Sequence, residues 1–339
     1  MLSLIQGLNF TGGLVMNQTR SKANLFAYQG QPNNSLSNYS VYAQIDKKMW
    51  NVLNASIGFR GEYFQMNNEE SVLQPIFRAG LNLKLAQATF IRYSYGQGYR
   101  FPTIAERYIF TSTGGIDLFP NPDLKPETSW NTEAGINQGY KIGQFQGYVD
   151  AAVFWQEFHN SIEYNYATWG TEQVGFKFLN TGSTRVRGID FTWVGNGNLA
   201  RDWKMTLLAG FTYLLPQALD PDMVYAVDSN LFPKQLSYIS TSTDTSDYIL
   251  KYRFTTTIKV DASIQYKKIF AGVSMRYYSF IQNIDKTFYD LDQLVLPVGI
   301  TDYRKEHDKG STVFDARCGI NISKAFTASL IINNLMNLE

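Results

Sequence analysis

"RFTTTIKVDASIQY", residues 253–266, alternates without interruption. Phe254, Thr256, Ile258, Val260, Ala262, Ile264 and Tyr266 fall on one side, and Arg253, Thr255, Thr257, Lys259, Asp261, Ser263 and Gln265 on the other. A helix of 3.6 residues per turn would mix these two sets, whereas a strand of period two keeps them apart. The stretch predicts a strand with one largely apolar face and one polar, charged face.

The same alternation recurs in thirteen segments, at 8–18, 38–49, 52–65, 75–86, 88–98, 128–142, 144–158, 184–199, 203–215, 253–266, 269–282, 311–322 and 324–335. Many exceed the five or six residues of an ordinary soluble strand. Their connections alternate strictly in length. Joints of a few residues lie near Met49-Trp50, Ala86-Gln87, Ile142-Gly143, Ala200-Arg201, Lys267-Lys268 and Ser323-Lys324, and between them run long loops at 19–37, 66–74, 99–127, 159–183, 216–252 and 283–310. In an up-and-down meander alternate connections share one end, so tight turns gather at one rim and large loops at the other, as in outer-membrane barrels.

Aromatic spacing marks which face meets lipid. Trp130 and Tyr140, Phe145 and Trp155, and Trp203 and Tyr213 form same-face pairs ten residues apart. Ten residues of tilted strand rise roughly 25 Å, the height of the apolar band of such barrels. The opposite faces carry Glu133, Asp150, Lys259, Asp261, Arg276, Asp315 and Arg317, which the pattern turns toward the lumen. The fold class expected is all-β, an antiparallel up-and-down transmembrane barrel, with residues 1–339 as one domain. Single-chain bacterial barrels have even strand numbers, so an odd count predicts at least one further strand. A soluble β-rich binding protein with its faces inverted has the same periodicity and is the reading from another class.

Composition narrows the function. Only 17% of residues are charged, while Tyr (22), Phe (23) and Gly (26) are plentiful, which suits pleated strands and turns rather than a charged soluble surface. A net charge of +1 gives no electrostatic reason for a nucleic-acid partner. No apolar run is long enough for a membrane helix, and "MLSLIQGLNFTGG" lacks the basic region of a signal peptide. Cys318, His159 and His307 are too few and too far apart for a zinc site, and the two histidines are expected to be solvated loop residues. With no nucleophile motif, neither catalysis nor a cofactor is expected.

Two stretches mark where strands meet large loops. In "YSYGQGYRFPTIAERY", residues 93–108, Gly96 and Gly98 open a G-x-G pattern, but Phe101 stands where a third glycine belongs and no βαβ context follows. The glycines are read instead as allowing close approach or a bulge, Pro102 as ending the pairing, and Thr103 to Glu106 as a capping box for one helical turn. In "FPNPDLKPETSW", residues 119–130, prolines at 120, 122 and 126 enforce an extended path until pairing resumes.

These stretches resemble the TonB-dependent outer-membrane receptors. "YGQGYRFPTIAERY" and "NPDLKPETSWNTEAGI" are similar to the two most recognisable barrel segments of that family, "NTGSTRVRGIDF" (residues 180–191) to a third, and "ASLIINNLMNLE" to the segment before the last strand. The resemblance marks Gly96, Gly98, Arg100, Pro102, Glu106, Asn121, Pro122, Pro126, Glu127 and Gly188 as motif positions with structural roles. It implies a 22-stranded barrel in the Gram-negative outer membrane, of which this chain would supply thirteen strands. A plug coupled to TonB, ExbB and ExbD would precede it, and a closing strand would follow Glu339.

The function implied is energy-coupled uptake of a scarce small or oligomeric solute, such as a siderophore, cobalamin or oligosaccharide. A passive channel of about fourteen strands is the alternative. Haem is disfavoured, because residues 103–120 lack the histidine that the family's haem receptors carry there. Tyr108, Phe110, Trp169, Tyr225, Phe288 and Tyr289 on the large loops are candidate ligand contacts. Most of the inward charges are expected to pair within the wall, and a minority to meet the plug.

Overall fold

The computed structural model describes residues 7–27, 30–67, 70–113, 116–169, 173–228, 234–294 and 299–336. Residues 1–6 and 337–339 lie outside the described residues. Five long strands come first: β1 (Leu8–Lys22), β2 (Asn33–Met49), β3 (Leu53–Met66), β4 (Glu70–Ala86) and β5 (Thr89–Arg100). A short helix, α1 (Ile104–Tyr108), and two brief strands, β6 (Thr111–Thr113) and β7 (Ile116–Phe119), occupy the loop before β8 (Glu127–Ile142) and β9 (Gln144–His159). The next loop is a hairpin, β10 (Ile162–Trp169) and β11 (Gln173–Asn180), leading to β12 (Thr184–Ala200) and β13 (Trp203–Ala218). Then β14 (Ala226–Asp228), β15 (Lys234–Leu236) and α2 (Tyr238–Thr241) precede β16 (Thr256–Tyr266) and β17 (Ile269–Tyr278). Helices α3 (Thr287–Leu294) and α4 (Ile300–Glu306) lead to β18 (Ser311–Asn321) and β19 (Thr327–Ile332).

Thirteen of these strands form one sheet, in the order β1-β2-β3-β4-β5-β8-β9-β12-β13-β16-β17-β18-β19. Each pairs antiparallel with the next long strand of the chain, so the expected meander is present with every predicted strand in it. Among the described residues β1 and β19 each pair on one side only, and the wall is an open arc. Tight turns close one rim. Trp50 and Asn51, both with positive φ (52° and 57°), make the β2–β3 turn, the primed geometry whose twist matches that of a hairpin.

The strand ends differ from the alternation for a physical reason. β1 extends to Lys22 and β2 begins at Asn33, paired Lys22↔Asn33 through polar residues; beyond the apolar band the ladder needs backbone partners and no apolar face. Conversely, 253–255 lies outside β16, because the Ser279 hydroxyl takes the Thr255 amide (2.9 Å) in place of a ladder partner.

The wall is a single layer, and register divides its faces. One carries Leu14, Val41, Ile57, Phe77, Val153 and Val273, all exposed, as expected where lipid replaces a second protein layer. Aromatic rings gather at both ends of this face. Near the turns lie Tyr140 with Phe145 (6.1 Å between rings) and Trp203 with Tyr266 (4.7 Å); near the loops lie Tyr95 with Trp130 (6.4 Å) and Tyr39 with Tyr63 (6.3 Å).

The loops form a crown with its own small sheet, β10-β11-β7-β6, in which β7 and β11 pair in parallel. β7 is not visible as alternation, since it is short and takes one of its partners, β11, from a different loop. An apolar cluster of Met66, Phe101, Ile104 and Tyr108, flanked by Phe64 and Tyr99, lies buried where β3 and β5 enter the crown.

Candidate functional site

All seven predicted inward charges share the face opposite the apolar one. Arg92 on β5 bridges Glu133 on β8 (2.9 Å) and Asp150 on β9 (2.6 Å). Arg317 on β18 holds Asp261 on β16 (2.7 Å) across β17, and Arg276 on β17 holds Asp315 on β18 (2.7 Å). A local device keeps three inward arginines flat. Arg78, Arg92 and Arg317 each stand directly opposite a glycine, Gly58, Gly135 and Gly272. A Cβ on those glycines would meet the arginine at 2.8, 2.8 and 2.9 Å, so the missing side chain is the space in which each guanidinium lies.

Lys259 is the contrast. It too stands opposite a glycine, Gly210, but a Cβ there would find only the Phe191 carbonyl at 4.0 Å. Its other neighbour is the like-charged Arg276. Lys259 is exposed and has no ion-pair partner among the described residues.

The motif residues of the rim come together in one chain of bonds. The Thr103 amide and hydroxyl donate to Glu106 Oε2 (2.8 and 2.9 Å), while the Thr103 oxygen takes the Glu106 amide, which is the expected capping box. Arg100 Nη1 donates to Glu106 Oε1 (2.6 Å), and its Nε donates to Glu127. Glu127 Oε1 accepts the Ile162 amide (2.5 Å), carrying the chain into the next loop. Burial tends to raise the Glu106 carboxyl, but the Thr103 amide and Arg100 outweigh it and hold it below the usual carboxylate value.

Asn121 donates to the Phe178 carbonyl (2.7 Å), and Asn180 exchanges bonds with the Lys125 backbone (2.8 and 3.0 Å). These amides tie the proline-rich path through Pro122 and Pro126 to the β10–β11 hairpin. Pro102 is fully buried. The rim glycines face side chains rather than a bulge: a Cβ at Gly98 would meet Ser129 Oγ at 2.5 Å, and one at Gly96 would meet Asn131 Oδ1 at 3.0 Å. At Gly188 the close approach is backbone, with the Tyr213 carbonyl 2.1 Å from where a Cβ would stand.

A second polar cluster, absent from the sequence reading, lies beneath the 219–252 loop. Asn283 donates to the Ile249 carbonyl (2.8 Å), Tyr238 Oη (3.0 Å) and Ser242 Oγ (3.2 Å), and accepts from the Thr243 amide (3.1 Å). Lys251 pairs with Asp285 (3.0 Å) and donates to Thr241 (3.1 Å), which meets Tyr225 Oη (3.0 Å); Tyr225 in turn donates to Asn165 (3.1 Å). A cavity of about 30 Å³ borders Glu163, Asn165, Tyr225 and Lys251, enough for one water. Burial pushes the Tyr225 and Tyr238 hydroxyls up to about 12. It also raises the Glu163 carboxyl, which Arg253 at 3.5 Å only partly offsets. These residues come from three separate loops, so no spacing in the sequence announces them.

The loop aromatics have separate surroundings. Tyr108 is buried in the cluster under the crown. Phe110 is half exposed, with Phe119 6.0 Å away. Trp169 donates to the Gly175 carbonyl (3.0 Å) with Lys177 over its ring. Tyr225 belongs to the polar cluster, Tyr289 accepts from Arg304 (3.2 Å), and Phe288 lies in the first turn of α3, its amide bonded to the Asp285 carbonyl (3.2 Å). His159 ends β9, and His307 stacks on Tyr303 (4.1 Å); both are exposed. Among the described residues no cluster of three or more His, Cys, Asp or Glu is placed to hold a metal.

A lipid-facing meander with a polar, internally paired inner face and a loop crown at one rim defines the wall of a large transmembrane β-barrel. The sequence matches the family model described as "TonB dependent receptor-like, beta-barrel" over residues 4–335, and the chain belongs to that family. Its members are outer-membrane transport receptors of Gram-negative bacteria and not enzymes.

Among solved structures, the chain is similar to the siderophore receptor PirA from Pseudomonas aeruginosa (13% identity, TM-score 0.65, covering 98% of this chain and 51% of that one). It is also similar to the ferric enterobactin receptor PfeA from Pseudomonas aeruginosa (14%, 0.65, 99% and 46%). A third likeness is to the hemophore receptor HasR from Serratia marcescens, solved with its hemophore HasA and heme (14%, 0.64, 99% and 54%). The chain spans about half the length of these receptors. No curated protein matches it.

Proposed function

We propose that residues 1–339 form one domain, part of the wall of an energy-coupled outer-membrane receptor that takes up a scarce solute, a siderophore, cobalamin, oligosaccharide or similar. The observation that carries this reading is the arc itself. Thirteen strands superpose on about half of much longer receptors, with the first and last strands each paired on one side only among the described residues. A channel of about fourteen strands would need a tighter curve, one that a single added strand closes. The crown captures the solute, the lumen passes it inward, and the energy comes from TonB, ExbB and ExbD through a plug within the bore.

For solute contact we propose Phe110, Trp169, Tyr225, Phe288 and Tyr289. Phe110 is favoured by its half-exposed ring, and Tyr108 is the weakest candidate because its ring is spent on packing.

Growth on single nutrient sources, with and without the full gene, identifies the solute. Uptake of that solute by intact cells is then measured before and after collapse of the proton gradient. Active transport predicts loss of uptake; unchanged uptake would establish a passive channel and overturn the proposal.

A further inference from the structure

The apolar face carries a charged stripe at its loop rim. Trp155 pairs with Arg187, and Glu157 with Arg185, one step farther from the membrane centre. Both pairs share the face of Val153 and Ile189, which are exposed to lipid. Arg185 Nε and Nη2 each stand 2.8 Å from Glu157 Oε1, to which the Trp155 indole also donates (3.1 Å). Both guanidiniums lie over the Trp155 ring, Arg185 at 4.6 Å and Arg187 at 5.7 Å.

Glu157 therefore neutralises Arg185. Arg187 is exposed and meets no carboxylate among the described residues. His159, also exposed, lies one step beyond Glu157, with Nδ1 3.3 Å from Ser183 Oγ. The stripe holds one uncompensated cation, level with the aromatic ring that marks the lipid interface.

A free-standing interfacial cation would extend into water. Arg187 instead lies over the Trp155 indole, its guanidinium 5.7 Å from the ring centre. An anion that reaches that place through the lipid face is a lipid headgroup, and a guanidinium fork matches phosphate oxygens. We propose that Arg187, with Arg185 and His159 beside it, binds the phosphate group of an outer-leaflet lipid. The inference rests on membership of the family and its membrane placement, and is independent of which solute is transported.

The test uses the full-length receptor purified from outer membranes in mild detergent, with native mass spectrometry reading bound lipid. The probes are a bisphosphorylated disaccharide lipid, the same lipid without phosphates, and inorganic phosphate. The phosphorylated lipid should bind and its dephosphorylated form should not. Arg187→Gln should weaken binding about fivefold, Arg187→Lys should weaken it less, and the double change with Arg185→Gln should cost more than either. Lys267→Gln at the opposite rim should change nothing.

Arg187→Gln breaks no ion pair within the protein, so the fold should survive, as heat-modifiable electrophoretic mobility will report. Should it fail to fold, the lipid pair on the unaltered receptor still decides. Equal binding of the two lipids, or unchanged binding by Arg187→Gln, would overturn the proposal. So would displacement of the lipid by millimolar inorganic phosphate alone, which would indicate a site for free anions.

Discussion

The wall and the crown satisfy their backbones by different means. In the wall, carbonyls and amides pair strand to strand, which leaves side chains free to serve two environments. Three arginines of the inner face lie over glycines, and apolar groups face lipid. In the crown, most carbonyls and amides have no ladder partner, and a buried backbone group must find one. Side-chain amides supply it: Asn121 reaches Phe178, Asn180 reaches Lys125, and Asn283 gathers Thr243, Asp244 and Ile249. Removing a strand partner should therefore damage the whole wall, whereas removing one asparagine should loosen one loop.

The largest effect is expected from Gly188→Val. A Cβ there would stand 2.1 Å from the Tyr213 carbonyl and 3.0 Å from Leu214 Cα, so β12 and β13 must separate to admit it. We expect a loss of at least about 4 kcal/mol, in the range reserved for such backbone conflicts. The readout is absence of folded receptor from the outer membrane. Asn283→Leu comes next. Asn283 is 1% exposed, and its loss strands several buried groups, for about 3 kcal/mol. That loss should appear as protease cleavage within 219–252 while the wall keeps its heat-modifiable mobility. Unfolding of the wall by Asn283→Leu would erase the distinction between the two regions.

The same difference explains what was legible beforehand. Alternation is imposed wherever a strand separates two environments, so β12 and β16 could be read from period alone, and so could the inward placement of Glu133, Asp261 and Arg317. The aromatic pairs marked both rims for the same reason. Crown residues answer to neighbours distant in sequence. β7 is a strand because β11 and β6 lie beside it, and Asn165 accepts from Tyr225, sixty residues away in sequence. Motif resemblance pointed to Arg100, Glu106 and Glu127, whose bonds reach from the Thr103 capping box across to the Ile162 amide, but nothing comparable flagged Asn283 or Lys251.

Within the wall, Arg92 and Lys259 should behave differently. Arg92→Met leaves Glu133 and Asp150 facing each other without their shared cation. The Arg92 side chain is 33% exposed, so solvent screening holds the expected loss to about 1 kcal/mol. Lys259→Met removes no partner and relieves the like-charge opposition to Arg276, so thermal stability should hold or rise slightly. Equal destabilisation by the two changes would mean that Lys259 is tied into the wall as Arg92 is.

The smallest effect separates two carboxyls within the crown by its sign. Glu106 is held below its ordinary 4.5, so its folded form favours the ionised state. Its contribution is complete above that value and is lost as pH falls through the depressed one. Glu163 is raised above 4.5, chiefly by burial, so its folded form favours the proton. Its contribution is complete below 4.5 and declines as pH rises through the raised value. Acidification from neutral pH should therefore firm the β10–β11 hairpin before it loosens α1. Hydrogen exchange of residues 162–169 and 104–108, compared across a pH series after correction for intrinsic rates, should move in opposite directions. Glu163→Gln should abolish the first trend and leave the second. Parallel movement of the two segments would mean that the crown opens as a single unit, with its loops coupled as tightly as the strands of the wall.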